Sequence, residues 1–181
     1  SVLQATREIL EDLGEQRDVV TQAEEAVHAE ERKSVPAPIP LRVLACPARD
    51  QADRLALEML RQLLDPAKWG LEIAAVETMT ADLVARVAEQ TPALVCIGAL
   101  PPGGLAHTRY LCKKLRARFP KVKIVVGRWG LTGNVEENRE QLQDAGADLT
   151  ATTILETRGQ LTSLLSILAI GIGAVLFQKR F

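Results

Sequence analysis

The sequence predicts an α/β domain built on a doubly wound, five-stranded parallel sheet, preceded by a helix and followed by a hydrophobic one. Three observations predict it. Short apolar runs alternate with segments of helical spacing five times after residue 40. Three prolines in seven residues, SVPAPIP at 34–40, mark the boundary before them. The alternating region is about 110 residues long, the size of one such domain.

Residues 1–33 read as a connecting helix. Leu3, Leu10, Leu13, Val20 and Val27 recur at near-heptad spacing, but Arg17 and Glu24 interrupt the stripe. A solvated helix and a short dimerising coiled coil both fit that pattern. Proline at the density of 34–40 cannot continue a helix and makes a stiff, extended linker.

LRVLAC (41–46) is a short apolar run, hence a first strand. Asp50 to Leu64 places apolar residues at helical intervals. LEIAAV (71–76) is a second strand. Thr80 is a good cap for a helix carrying Leu83, Val84 and Val87. ALVCIG (93–98) is apolar without alternation, as expected of a strand buried on both faces. A Pro/Gly loop leads into a helix from about Leu105 to Phe119. KIVVG (123–127) is the fourth strand, Val135 to Ala145 a helix, and Ala147 to Thr152 a weaker fifth strand. Parallel pairing with right-handed crossovers gives the flavodoxin-like order 2-1-3-4-5 over 41–158. The ligand crevice of such a sheet lies at the carboxyl ends of strands one, three and four. The loops Cys46–Asp50, Gly98–Leu105 and Gly127–Asn134 meet there.

The remaining 159–181 form a hydrophobic tail helix. Leu161 to Phe177 is 17 residues without a charge, followed by Gln178-Lys179-Arg180. As a helix it spans roughly 25 Å, short of the ~30 Å hydrocarbon core. A membrane anchor, an oligomer interface and an over-hydrophobic final helix compete for it.

Charge is strongly uneven. The net charge is -1, yet residues 90–135 hold eight bases and no acid, while 1–33 hold nine acids and four bases. An anionic membrane surface, an acidic partner surface, the acidic first helix and plain solvent are the candidate neighbours of that basic block. Nucleic acid is disfavoured, since aromatics make up only 3%. Cys46, Cys96 and Cys112 are too few and too scattered for a disulfide framework or a zinc site. They read as buried and inert in a reducing compartment. No metal site, paired carboxylates or nucleophile–base pair stands out, so the chain reads as a non-enzyme.

The candidate ligand-binding residues are Arg49, Gly98, Pro101, Gly103, Gly104, His107, Arg109, Arg128 and Trp129. Gly103 and Gly104 precede a helix whose free N–H groups favour an anion, within reach of Arg109. Arg128 and Trp129 follow the fourth strand and suit a flat anionic ligand, with Trp129 as a core plug the competing reading. His107 lacks a partner for catalysis. The third strand ends in Cys96-Ile97-Gly98, where a phosphoreceiver needs an aspartate.

The stretch ALVCIGALPPGGLAHTRYLCKKLRARFPKVKIVVGRWG (93–130) resembles the cytosolic C-terminal domain of some bacterial autoinducer-2 exporter family proteins. LRVLACPARDQADRLALEMLRQLLDP (41–66) and the GAD at 146–148 fit the same pattern. The resemblance covers about residues 1–158. It implies a regulatory domain appended to a membrane permease, on the cytoplasmic face of the inner membrane, with no catalytic residues to carry over. More distantly, the domain is similar to the cobalamin-binding flavodoxin-like module, whose Asp-x-His-x-x-Gly motif follows its first strand. Here Ala48-Arg49-Asp50-Gln51-Ala52-Asp53 stands in that place, without the histidine.

Overall fold

The computed structural model describes the backbone of residues 2–11 and 39–178, and side chains as far as residue 168. The expected helix over 1–33 is therefore testable only at 2–11, which is helical (α1). Most of the Pro-rich linker lies outside the described residues.

The five apolar runs form the five strands: β1 (Leu41–Pro47), β2 (Trp69–Ile73), β3 (Leu94–Gly98), β4 (Lys123–Gly127) and β5 (Leu149–Ala151). All pairs are parallel, in the order β2-β1-β3-β4-β5, as the sequence predicts. The intervening helices are α2 (Gln51–Leu63), α3 (Thr80–Gln90), α4 (Leu105–Arg118) and α5 (Val135–Asp144), with α6 (Ile154–Gln178) last. Asp50 caps α2 by accepting from the Ala52 and Asp53 N–H groups. Thr80 does not cap α3 but opens it: Met79 holds the cap position, without a side-chain bond.

The pleat sorts side chains onto two faces. Leu44, Cys46, Val95, Ile97, Ile124 and Val126 face α3, α4 and α5. Val43, Ala45, Leu94, Cys96 and Val125 face α2 and α6. Every residue of β3 is buried, which explains its unbroken apolar run.

The last helix departs from the expected boundary at 158/159. α6 is continuous from Ile154, and its Leu161 is fully buried against α2 and the sheet, with Leu164, Leu165 and Leu168 packed beside it. The start of the uncharged stretch therefore closes the core. Its later side chains lie outside the described set. Among the described residues, no helix is long and apolar enough to cross a membrane.

One base of the basic block meets none of those candidate neighbours. Arg116 is turned inward, donating to the carbonyls of Gly146, Pro120 and Val122 and to Asp148 Oδ2 at 2.6 Å. Burial raises the Asp148 carboxyl, but the Ile124 N–H, Arg116 and Lys123 outweigh it and hold the group below its ordinary value. A depressed carboxylate contributes stability above its unfolded value, ~3.9, that is lost as pH falls through the lower folded value. Urea unfolding of Asp148→Asn is expected to show a deficit against the parent chain at pH 7 that shrinks below about pH 4. A deficit that stays constant with pH contradicts this account.

Candidate functional site

The site is built where β1, β3 and β4 end. β1 runs out through Ala48, whose N–H donates to the Gly98 carbonyl at 2.9 Å. The chain then turns at Arg49 into α2. The β3 end continues through Ala99 and Leu100 into a loop with a cis Pro101–Pro102 bond and positive φ at Gly103 (82°) and Gly104 (74°). Only glycine adopts that geometry without strain, and a Cβ at either position would also press on the Arg49 guanidinium. Gly104 opens α4, and no side chain caps the N–H groups that follow.

Two side chains pin these loops together. Asp53, 0% exposed, accepts from the Leu100 N–H at 2.7 Å and the Arg49 N–H at 2.9 Å. Its position in the first turn of α2 puts its carboxylate beside the neighbouring β3–α4 loop. Arg128, 4% exposed, donates from Nη1 to the Gly103 carbonyl at 2.6 Å and the Ala99 carbonyl at 3.1 Å. Burial, then the neighbouring Arg49, pulls the Arg128 guanidinium below its ordinary value, and Asp53 opposes them. Asp53 and Arg128 thus hold the β3–α4 loop from opposite sides.

Arg49 is held much less firmly. Its guanidinium lies 3.6 Å from Asp50, 4.0 Å from Asp53 and 3.4 Å from the Leu100 carbonyl, with 37% of the side chain exposed. Contacts of that length are weak or marginal. The two crevice arginines therefore differ in kind: Arg128 is committed to loop carbonyls, and Arg49 is a partly solvated cation over the uncapped start of α4.

Of the nominated residues, Arg49, Gly98, Gly103, Gly104 and Arg128 come together, with Pro101 in the same loop. Three lie elsewhere. Trp129 is buried on the α2/α6 face, with its indole N–H on Thr157 Oγ1 at 2.9 Å and its ring against Gly127. It packs the core instead of clamping a ligand. Arg109 reaches across to Gln141 on α5 at 3.1 Å, and His107 is exposed on α4 near Tyr110. Asp53 escaped the sequence reading as a site residue, because a first-turn carboxylate ordinarily serves its own helix. Its spacing from the capping Asp50 was the available signal.

The three cysteines are buried, and burial is the main cause that pushes each thiol up to about 12. Thiolate chemistry is correspondingly suppressed. No group of three metal-ligating side chains occurs among the described residues. Arg49 and Asp53 stand in the turn after β1, and His107 lies exposed on α4.

No family model and no curated protein matches the chain. The likeness to the exporter domain accordingly rests on the quoted motifs alone. Solved structures share the fold. A cobalamin-binding protein from Desulfitobacterium hafniense matches at 13% identity and TM-score 0.52, covering 64% of this chain and 54% of that one. A CheY-like response regulator receiver domain from Methanospirillum hungatei matches at 18% identity and TM-score 0.52, covering 74% and 99%. A response regulator from Chloroflexus aurantiacus matches at 15% and 0.51, covering 71% and 99%. The chain thus spans the whole of the receiver folds and about half of the cobalamin-binding protein. At these identities the likeness establishes a flavodoxin-like, receiver-like fold.

Proposed function

We propose that the chain is a noncatalytic regulatory domain that senses a small anion at the carboxyl ends of β1, β3 and β4. The observation that carries the reading is the contrast between the two arginines. Arg128 is committed through Nη1 to two loop carbonyls, whereas Arg49 sits partly solvated above the two glycines that open α4. An anion placed there meets uncapped helix N–H groups and a weakly held guanidinium without breaking the Asp53–Arg128 arrangement. The helix itself carries no acid in its first turn to repel it. A fold shared with receiver and cobalamin-binding proteins fits a regulatory or ligand-binding role.

Thermal unfolding with inorganic phosphate and a nucleotide and cobalamin panel tests this. Stabilisation by phosphate or a nucleotide is expected, at least halved by Arg49→Ala and unaffected by Arg109→Ala, because Arg109 is bound to α5. Stabilisation indifferent to Arg49→Ala sinks the crevice reading. Stabilisation by cobalamin alone would point to a cofactor-binding carrier instead.

A second reading adds a membrane location, as the exporter likeness implies. It is favoured by the charge-free sequence 161–177, continued by Lys179-Arg180, on a helix that outlasts the sheet it packs against. Because Leu161 is part of the core, the informative deletion is 169–181. The full chain is expected to float with anionic liposomes and the deleted chain to stay behind. Equal flotation of both refutes the anchor, and concentration-dependent dimerisation lost with the same deletion would point to an oligomer interface.

A further inference from the structure

A second polar feature lies behind Arg128, away from the β3–α4 loop. A cavity of about 10 Å³ sits between the ends of β4 and β5 and the start of α5. Arg128, Leu131, Asn138, Leu142 and Thr150 are among the residues that line it. Two buried polar atoms of this lining have no protein partner: the Arg128 Nε–H, a donor, and Asn138 Oδ1, an acceptor. The amide orientation of Asn138 is set by its nitrogen, which donates to the Asn134 carbonyl at 3.0 Å. The oxygen is therefore the atom left over.

The pairing of a lone donor with a lone acceptor discriminates between occupants. An anion would satisfy Arg128 and be repelled by the asparagine oxygen. A cation would do the reverse. A direct bond would satisfy both groups, yet none forms. A molecule that accepts and donates at once satisfies both, and about 10–15 Å³ is the room one water needs. A buried group left unpaired loses the hydrogen bond it makes to water in the unfolded chain, so occupancy is favoured.

We propose that one structural water is bound here, accepting from Arg128 Nε and donating to Asn138 Oδ1. Arg128 then joins three elements. Nη1 holds the β3–α4 loop, the backbone N–H holds Ala151 of β5 at 2.7 Å, and Nε reaches α5 through the water. The site ties α5 to the crevice independently of whether an anion binds at Arg49.

A crystal structure of the full chain at about 1.5 Å, grown without sulfate or phosphate, tests it. The expected result is a water peak within about 3.2 Å of both atoms. In Asn138→Leu, which removes the acceptor and fills the space, the peak is expected to vanish while the sheet and the Arg128–Gly103 bond persist. An empty cavity, a direct Arg128–Asn138 bond, a halide at the site or a peak unchanged in Asn138→Leu overturns the proposal. Should Asn138→Leu fail to fold, water-selective NMR of the parent chain serves instead. A cross-peak from bulk-exchanging water to the Arg128 Hε is expected, and its absence overturns the proposal.

Discussion

Asp53→Ala is expected to destabilise the chain by about 3–5 kcal/mol, the largest effect of any single polar substitution at the crevice. The carboxylate is fully buried and accepts from two backbone N–H groups, those of Arg49 and Leu100. Alanine leaves both donors unpaired and removes the negative charge that opposes burial of Arg128. For a domain of this size the loss amounts to roughly 8–15 °C in Tm. Asp53→Asn keeps an acceptor oxygen of the same shape and should cost about 1–3 kcal/mol. Chemical denaturation of the three chains checks the order. An Asp53→Ala chain as stable as its parent contradicts the loop-pinning role.

Trp129→Ala should cost a similar amount, about 3–5 kcal/mol, for a different reason. The indole fills the space between Gly127, α2 and α6, and its N–H satisfies the buried Thr157 hydroxyl. Removing it opens a cavity under the first turns of α6 and leaves the Thr157 hydroxyl with only its bond to the Thr153 carbonyl. Trp129→Phe retains most of the volume and loses the hydrogen bond, so about 1–2 kcal/mol is expected. Hydrogen exchange should localise the damage: amides of 154–165 lose protection in Trp129→Ala, whereas those of α4 do not. Faster exchange at α4 with α6 unchanged would return Trp129 to the crevice.

These two residues also show where the sequence was legible. Strands such as LVCIG and KIVVG are continuous apolar runs because both faces are covered, so their existence and order followed from pattern alone. Arg49, Gly103 and Gly104 were readable because turn chemistry and strand ends locate the crevice of this fold. Trp129 was left between ligand clamp and core plug: it follows the strand end, but its side is set by the pleat. Val125, Gly127 and Trp129 share one face, with Arg128 on the other, and this two-residue period was the unused signal. Arg109 was misassigned because its reach to Gln141 depends on how α4 packs on α5, which no local pattern encodes. Asp53 required knowing that the β3–α4 loop passes over the first turn of α2, a contact 47 residues apart.

Backbone amide NMR during a phosphate titration tests the central claim most directly. The account predicts saturable shifts concentrated at Arg49, Gly103, Gly104 and Leu105, abolished in Arg49→Ala. Shifts confined to the exposed lysines of α4, Lys113 and Lys114, or shifts at the crevice that persist in Arg49→Ala, would contradict it.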